Sequence, residues 1–351
     1  MKTAAQLMPC ERQRGFSLVE LMIAMTIGFI VLAGIGYLYL ESRQAFRAMD
    51  NLSRMQESAR YALEIMSRDI RMAGYRGCAS SSGDFHNTLK DSGKSAYNFG
   101  LPINGYDGGG AGWTPALPAD TGGLSGLSIL AGTDAIILRS AFGGGAAVTK
   151  EPGKTSADIK VATPNDLQIG EIVMVTNCKA ASVLQITNLN VSGAGQNVVH
   201  NVGVLTPGNA TTDLVENYSA SGGEIIKMQS KSYFIRNGAG GRPALWQFDN
   251  YKPVAAGVNP AEITEGVENM QILYGIDADS NGIVESYTTA DLVANWNLVA
   301  AVRISLLLAG NDDNVATSAQ TYTYDGGSVT AGDQRLRQVF TTTVSVRNRT
   351  Q

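Results

Sequence analysis

The longest uninterrupted apolar stretch of the chain lies near its N-terminus. From Phe16 to Leu40 the only charged residue is Glu20, and Leu21 to Leu40 carries no charge. At 1.5 Å rise per residue, a helix over this uncharged run spans about 30 Å, which is the thickness of a bilayer core. The pattern therefore predicts a membrane-spanning helix.

Beyond Leu40 the apolar residues change to a period of mostly three and four, which is typical of an amphipathic helix. No proline or glycine interrupts residues 37–73, and Gly74 is suited to a C-cap. The pattern predicts one continuous helix over residues 16–73, whose second half packs a stripe against a head. The stripe consists of Phe46, Met49, Leu52, Ala59, Leu63, Met66, Ile70 and Ala73.

The rest of the chain, residues 74–351, predicts a β-rich head. Residues 79–130 are rich in Gly, Ser and Pro and are interpreted as long surface loops. Runs of Val, Ile, Thr and Tyr separated by turn residues then predict antiparallel strands, giving an α+β fold. The predicted strands are Asp134–Ser140, Glu171–Asn177, Val183–Val191, Glu224–Arg236, Ala244–Asp249, Val267–Ile276, Leu298–Leu308 and Gln338–Arg347.

Charge divides the chain in the same way. The formal net charge is −4, but residues 1–76 carry ten basic and seven acidic side chains, whereas residues 77–351 carry 17 and 24. An acidic head argues against broad affinity for nucleic acid. The basic flank before the apolar run keeps the N-terminus in the cytoplasm and exports the head. A cleaved signal peptide is the alternative, but no small-residue site of the usual kind follows Leu40.

The segment Arg14-Gly15-Phe16-Ser17-Leu18-Val19-Glu20 resembles the cleavage motif of type IV prepilins. The resemblance implies a leader peptide over residues 1–15, cleavage between Gly15 and Phe16, and methylation of the new N-terminal phenylalanine. Glu20 then becomes the fifth residue of the mature chain. In this family such a glutamate pairs with the N-terminal amine of a neighbouring subunit and sets the register; a snorkelling glutamate at the membrane surface is the alternative.

More narrowly, two segments resemble the PilW family of minor pilins. They are an R-x-Q-E-x-x-R-x-A-L helix at Arg54 to Leu63 and an R-M-A-G-Y-x-G-C segment at Arg71 to Cys78. The resemblance implies a structural protein that helps initiate type IV pilus assembly, with a single inner-membrane pass, a periplasmic head and a place near the pilus tip. It implies as partners other minor pilins, the major pilin, the prepilin peptidase, the inner-membrane assembly platform and a large tip adhesin.

Two other functions fit the same leader and helix. One is a minor pseudopilin of a type II secretion system, although 351 residues is long for that class. The other is an adhesin whose Gly-rich loops bind a surface ligand. The residues carry no enzyme signature, and no cofactor is required.

Cysteine usage fits export. Removal of the leader takes away Cys10 and leaves the pair Cys78 and Cys178, which is expected to form a disulfide in an oxidising periplasm. Two unpaired buried thiols are the alternative.

One segment has the spacing of a metal loop. Asp277, Asp279, Asn281 and Gly282 follow the D-x-D-x-N-G order of an EF-hand-type Ca²⁺ loop, and Glu285 occupies position nine. The bidentate glutamate of position twelve is replaced by Thr288, and the flanks favour strands over helices. A β-hairpin with an Asn-Gly turn is the alternative.

Overall fold

The computed structural model describes residues 15–77, 83–120, 123–150, 153–193, 195–203, 205–250 and 259–349. By their contacts the residues form two compact units, Met1–Asn51 and Leu52–Gln351.

A single long helix, α1, runs from Leu18 to Met72 and confirms the prediction to within two residues at either end. It ends because Gly74 adopts a left-handed backbone conformation with φ of +74°, which side chains disfavour. The Gly74 N–H leaves the helical ladder and donates to the carbonyl oxygen of Arg139 at 2.8 Å.

The second unit buries one stripe of α1. Leu63 packs against this core at partial burial, and the fully buried positions recur every three or four residues, as the amphipathic pattern predicts. Three predicted members are wrong, since Phe46, Met49 and Leu52 are 69%, 68% and 39% exposed. The buried positions are Met55, Ala59, Ala62, Met66, Ile70 and Ala73.

The described residues also contain eighteen strands. They are β1 (Asp84–Asn87), β2 (Ile103–Gly109), β3 (Gly112–Thr114), β4 (Ala135–Lys150), β5 (Asp158–Ala162), β6 (Ile172–Thr176), β7 (Ala180–Gln185), β8 (Asn188–Ser192), β9 (Gly195–Val199), β10 (Glu224–Asn237), β11 (Pro243–Asp249), β12 (Ala261–Glu265), β13 (Val267–Ile276), β14 (Ser286–Thr288), β15 (Val299–Ala309), β16 (Thr321–Tyr324), β17 (Gly327–Thr330) and β18 (Arg337–Ser345).

The strands form a twelve-stranded sheet, a four-stranded sheet and a hairpin. The main path of the large sheet is β1-β7-β6-β10-β4-β5-β9-β8, with β11 and β12 extending from β10, and β2 and β3 from β4. The small sheet has the order β14-β13-β15-β18, and β16 pairs with β17. Described neighbours are antiparallel except β1 and β7, which are parallel. The predicted α+β fold with an antiparallel β-rich head is confirmed.

Two local predictions are wrong. The run Val183–Val191 is not one strand, because the chain stops pairing with β6 at Gln185 and starts pairing with β9 at Asn188. Residues 79–130 are not all loops, since they contain β1, β2 and β3. Glycine is needed within β2 because a Cβ on Gly108 would lie 2.1 Å from the carbonyl oxygen of Thr133.

The main core lies where the buried stripe of α1 meets strands of both larger sheets. Tyr233 and Leu245 contribute to it from the large sheet, and Ile272 and Val302 from the small sheet. The part of α1 from Leu52 onward is therefore an integral part of the head.

Candidate functional site

The predicted processing junction lies just before α1. Gly15 and Phe16 are outside the helix, and Phe16 is 88% exposed. A Cβ built on Gly15 would meet no heavy atom of the described residues within 4 Å. Among the described residues, none packs against the Cβ position of Gly15, and the Phe16 side chain is exposed.

Glu20 closes the first turn of α1. Its carboxylate accepts the Ser17 backbone N–H at 3.0 Å, and the Ser17 hydroxyl accepts the Glu20 backbone N–H at 3.1 Å. This reciprocal pair is a capping box, which satisfies donors that the helical ladder leaves free. Within this chain Glu20 therefore has a local role that the sequence interpretation did not include.

The helix that follows is apolar over its surface. Of the described residues, α1 is the one helix with the length and composition to cross a membrane, and its most apolar window is entirely unburied. Leu21, Ile30 and Leu40 are each more than half exposed. So much apolar surface needs lipid or neighbouring apolar helices around it.

A buried polar cluster joins the second half of α1 to the large sheet. The Asp69 carboxylate accepts from Lys231 Nζ at 3.0 Å and from the Tyr233 hydroxyl at 2.6 Å, and Gln247 donates to the same tyrosine oxygen. Burial and the adjacent Asp69 raise the pKa of Tyr233 well above its ordinary value, so the phenol remains a donor. The cluster fixes the helix at one rotation and one height against β10 and β11.

The disulfide prediction involves one described cysteine. Cys178 is disulfide-bonded, whereas Cys78 lies outside the described residues, so their pairing stays a prediction. The chain just before Cys78 contacts the end of β6: the Thr176 hydroxyl donates to the Arg76 carbonyl at 3.1 Å. Arg76, two residues before Cys78, therefore lies beside Thr176, two residues before Cys178.

The structure brings the three predicted metal-loop carboxylates together. Oxygens of Asp277, Asp279 and Glu285 lie within 4.8 Å of one another, with Asp277 buried and the other two exposed. Backbone hydrogen bonds hold both ends of the loop. The Asp277 N–H donates to the carbonyl oxygen of Leu298 at 2.9 Å, and the Glu285 N–H donates to the carbonyl oxygen of Ile276 at 3.0 Å. Carboxylate oxygens in this arrangement suit a hard divalent cation such as Ca²⁺.

The other residues of the loop also fit the alternative of a β-hairpin. The side-chain oxygen of Asn281 accepts the Ile283 N–H at 2.8 Å, which makes it a turn-forming residue. Thr288, at the twelfth position, belongs to β14 and pairs with Tyr274. The flanking strands β13 and β14 form an antiparallel pair, as the hairpin alternative predicts. The carboxylates also accept backbone N–H groups of the loop, Asp277 from Asn281, Asp279 from Asn281 and Glu285 from Ala278. Asn281 therefore stays a predicted ligand beside the three carboxylates.

Asp134 is a buried carboxylate where the two larger sheets meet. Its two oxygens accept the Gly108 N–H at 2.9 Å and the Ile272 N–H at 2.7 Å, which ties β2 to β13. Burial raises the pKa of Asp134 to about 7, and this effect exceeds the lowering by the two N–H groups. The charges of Asp107 and Asp325 add to the rise.

The raised pKa of Asp134 predicts that the head is more stable in mild acid. The native state holds this proton more tightly than the unfolded chain, so the stabilisation is present below the ordinary pKa and is lost as pH rises towards about 7. Between pH 5.5 and 8 the expected loss is about 2 kcal/mol. Thermal unfolding of the full chain in detergent measures it. Asp134→Asn is expected to remove this difference and the exposed control Asp213→Asn to keep it; equal pH dependence in both variants contradicts the assignment.

Sequence reasoning missed three features of these sites. The Ser17–Glu20 capping box could have been found, because S-x-x-E before an apolar run is its signature. The partners of Asp69 lie more than 160 residues away along the chain, and no local pattern indicates them. The role of Asp134 depends on the contact between two sheets, which the strand pattern alone does not specify.

Comparisons with known families support the N-terminal and C-terminal parts of the chain separately. The model described as Type IV Pilus-assembly protein W matches residues 232–348, from β10 through β18. The model described as Prokaryotic N-terminal methylation motif matches residues 11–36, which include Gly15, Phe16 and Glu20. Neither the curated proteins nor the solved structures contain a match. The matches confirm both families named from the sequence; the methylation motif matches at the residues that indicated it, whereas PilW matches in the head and not at Arg54–Cys78.

Proposed function

We propose that this prepilin-like protein of the PilW family is a minor pilin that helps to initiate type IV pilus assembly near the fibre tip. Its family matches support a type IV pilus-related minor pilin with a membrane anchor. The observation that carries the proposal is the exposed apolar half of α1 directly after the Gly15–Phe16 junction. A helix of this kind suits storage in the membrane and later packing among other helices in a fibre.

Cleavage after Gly15 prepares the chain for assembly. It removes the basic leader and leaves Phe16 as the terminal residue, with a charged amine next to the capping box. The Ser17 N–H and hydroxyl belong to the mature chain, so the box survives cleavage. Processing therefore changes the charge at the helix end without removing its cap.

Glu20 supplies the register in the proposed fibre. Two helices that pack without water cannot leave a carboxylate or an amine unpaired, because an isolated buried charge is costly. The amine of an adjacent subunit and the Glu20 carboxylate meet this demand at one axial offset. Such a pair gives little net stability but selects a single alignment.

The head provides the contacts specific to this subunit. The proposed partners are other minor pilins, the major pilin, the assembly platform, the prepilin peptidase and a tip adhesin, with the head in the periplasm before assembly. The matched family is a pilus-assembly family, which favours the pilus over a secretion apparatus.

The number of pili per cell tests the initiating role. A subunit that starts fibres sets how many form, whereas one that extends fibres sets how long they grow. Deleting the reading frame is therefore expected to lower the pilus count by at least tenfold at unchanged fibre length, with recovery on re-expression. Normal counts, shortened fibres, or lost secretion with intact pili would each oppose the proposal.

We also propose Ca²⁺ as a ligand of the Asp277–Glu285 loop, on the basis of its D-x-D-x-N-G spacing and three adjacent carboxylates. At ten times Kd, a bound ion adds about 1.4 kcal/mol to the stability of the folded state. The full chain in detergent is expected to melt at a higher temperature in millimolar Ca²⁺ than in chelator. Asp279→Ala should abolish this shift and Asp213→Ala, at another exposed site, should not. Equal melting temperatures for the wild type in both buffers exclude the ion.

A further inference from the structure

The edge strands of the head differ in how well they are protected. Exposed edges invite pairing with other chains, and proteins usually block them with charges, proline or short length. β3 and β14 have three residues each, β1 begins with Asp84, and β12 carries Glu262 and Glu265. β8 is uncharged but has only five residues. β18 has nine residues, and from Gln338 to Val346 the chain has neither charge nor proline.

The edge of β18 is also regular. All nine residues pair with β15 in an unbroken antiparallel register, so no bulge turns the strand away. Within the described residues no strand pairs with its other side. The Gln320 side chain covers one end, since it accepts the Arg337 N–H at 2.7 Å and donates to the Arg337 carbonyl at 2.8 Å.

The Gln320 contact shows which backbone groups point outward. In an antiparallel strand the N–H and C=O of one residue point to the same side, and the side alternates from residue to residue. Arg337 points away from β15, so Val339, Thr341, Thr343 and Ser345 do as well. These four residues offer eight backbone groups spaced symmetrically about Thr342.

We infer that β18 is a docking edge for the β18 strand of a second copy of this chain, in antiparallel register about Thr342. In this register Val339 faces Ser345 of the other copy and Thr341 faces Thr343. Each outward backbone N–H then lies opposite a backbone C=O of the other copy. No charged side chain lies within the paired stretch from Val339 to Ser345. The charges nearest to it are Arg337 of one copy and Arg347 of the other. The Arg337 guanidinium is bonded to Glu268 and Asp333, and β18 ends before Arg347.

Side chains across this junction are matched as well. Phe340 faces Val344 on the side of the sheet where Val344 is buried, and the two Thr342 side chains face each other. Such aromatic–β-branched and Thr–Thr pairs stabilise neighbouring strands. The product is one eight-stranded sheet with a two-fold axis, an interface that closes on itself. This pairing goes beyond the proposed fibre role, and either can hold without the other.

Cysteine pairs test the register directly in the full chain in detergent micelles. Thr341 and Thr343 are exposed and face each other only between copies, so disulfide formation requires one cysteine on each copy. Copies carrying Thr341→Cys and copies carrying Thr343→Cys, distinguished by tags of different size, are mixed and mildly oxidised. The mixture is expected to give at least tenfold more covalent dimer than either variant alone.

The single variants and the wild type control for chance collision and for the native cysteines. Sedimentation of the unmodified chain is expected to show a dimer at micromolar concentration. A monomer in that experiment, no covalent dimer in the mixture, or as much dimer in a single variant as in the mixture would each overturn the inference, whatever the outcome for pilus number.

Discussion

Replacing Glu20 by glutamine is expected to lower incorporation of the subunit into pili by at least a hundredfold while leaving the membrane helix intact. Glutamine keeps the shape and the acceptor oxygen of the capping box, so the first turn of α1 is retained. Only the negative charge is lost. Leaving one member of a buried charge pair without its partner costs about 3–5 kcal/mol, which corresponds to a factor of roughly 200 to 5,000 in an equilibrium constant.

A second variant separates the two roles of Glu20. Ser17→Ala removes the hydroxyl that caps the helix but leaves the carboxylate charged. Loss of a cap costs about 1 kcal/mol, so incorporation should fall much less than in Glu20→Gln. Quantitative immunoblotting of sheared pili and of membranes measures both. If Glu20→Gln enters fibres as well as the wild type, or if Ser17→Ala is equally defective, Glu20 acts as a helix cap and not as a register device.

The long helix shows how much of this fold the sequence specifies. Its length follows from an uncharged run, a helical stripe and a glycine stop, all of which are local signals. The structure agrees, with α1 over Leu18–Met72 and Gly74 in the left-handed region. The three errors in the stripe, Phe46, Met49 and Leu52, are apolar at the correct spacing but exposed, because spacing alone does not show which positions are covered.

The head was less predictable because its signals are not local. An apolar run such as Val183–Val191 has strand character throughout, and the change of partner near Ile186 depends on strands far along the chain. Glycines at 108–110 indicate a loop by composition, yet Gly108 belongs to a strand and is required by a close approach to Thr133. The Asp69 and Asp134 contacts likewise exist only after distant strands are in place.

The candidate sites also differ in whether local sequence specifies them. The processing junction and Glu20 belong to one short motif, so the sequence located them by pattern. The three carboxylates of the 277–285 loop are also close in sequence, and their spacing indicated that they would meet. The β18 edge was not anticipated, because an edge is defined by which strands are absent from its side.

The N-terminus of the mature protein tests the central claim that the chain is a processed pilin subunit. Gly15 has room for close approach of a peptidase, and Phe16 is exposed in a segment before the helix. Replacing Gly15 by valine puts a branched side chain at the junction and is expected to leave the leader attached, which provides a matched precursor.

Mass spectrometry of the protein extracted from membranes is the direct measurement. The account predicts a wild-type chain that lacks residues 1–15 and begins at an N-methylated Phe16, and a Gly15→Val chain that retains its leader. A wild-type protein that begins at Met1, or one cut after Leu40, would contradict it.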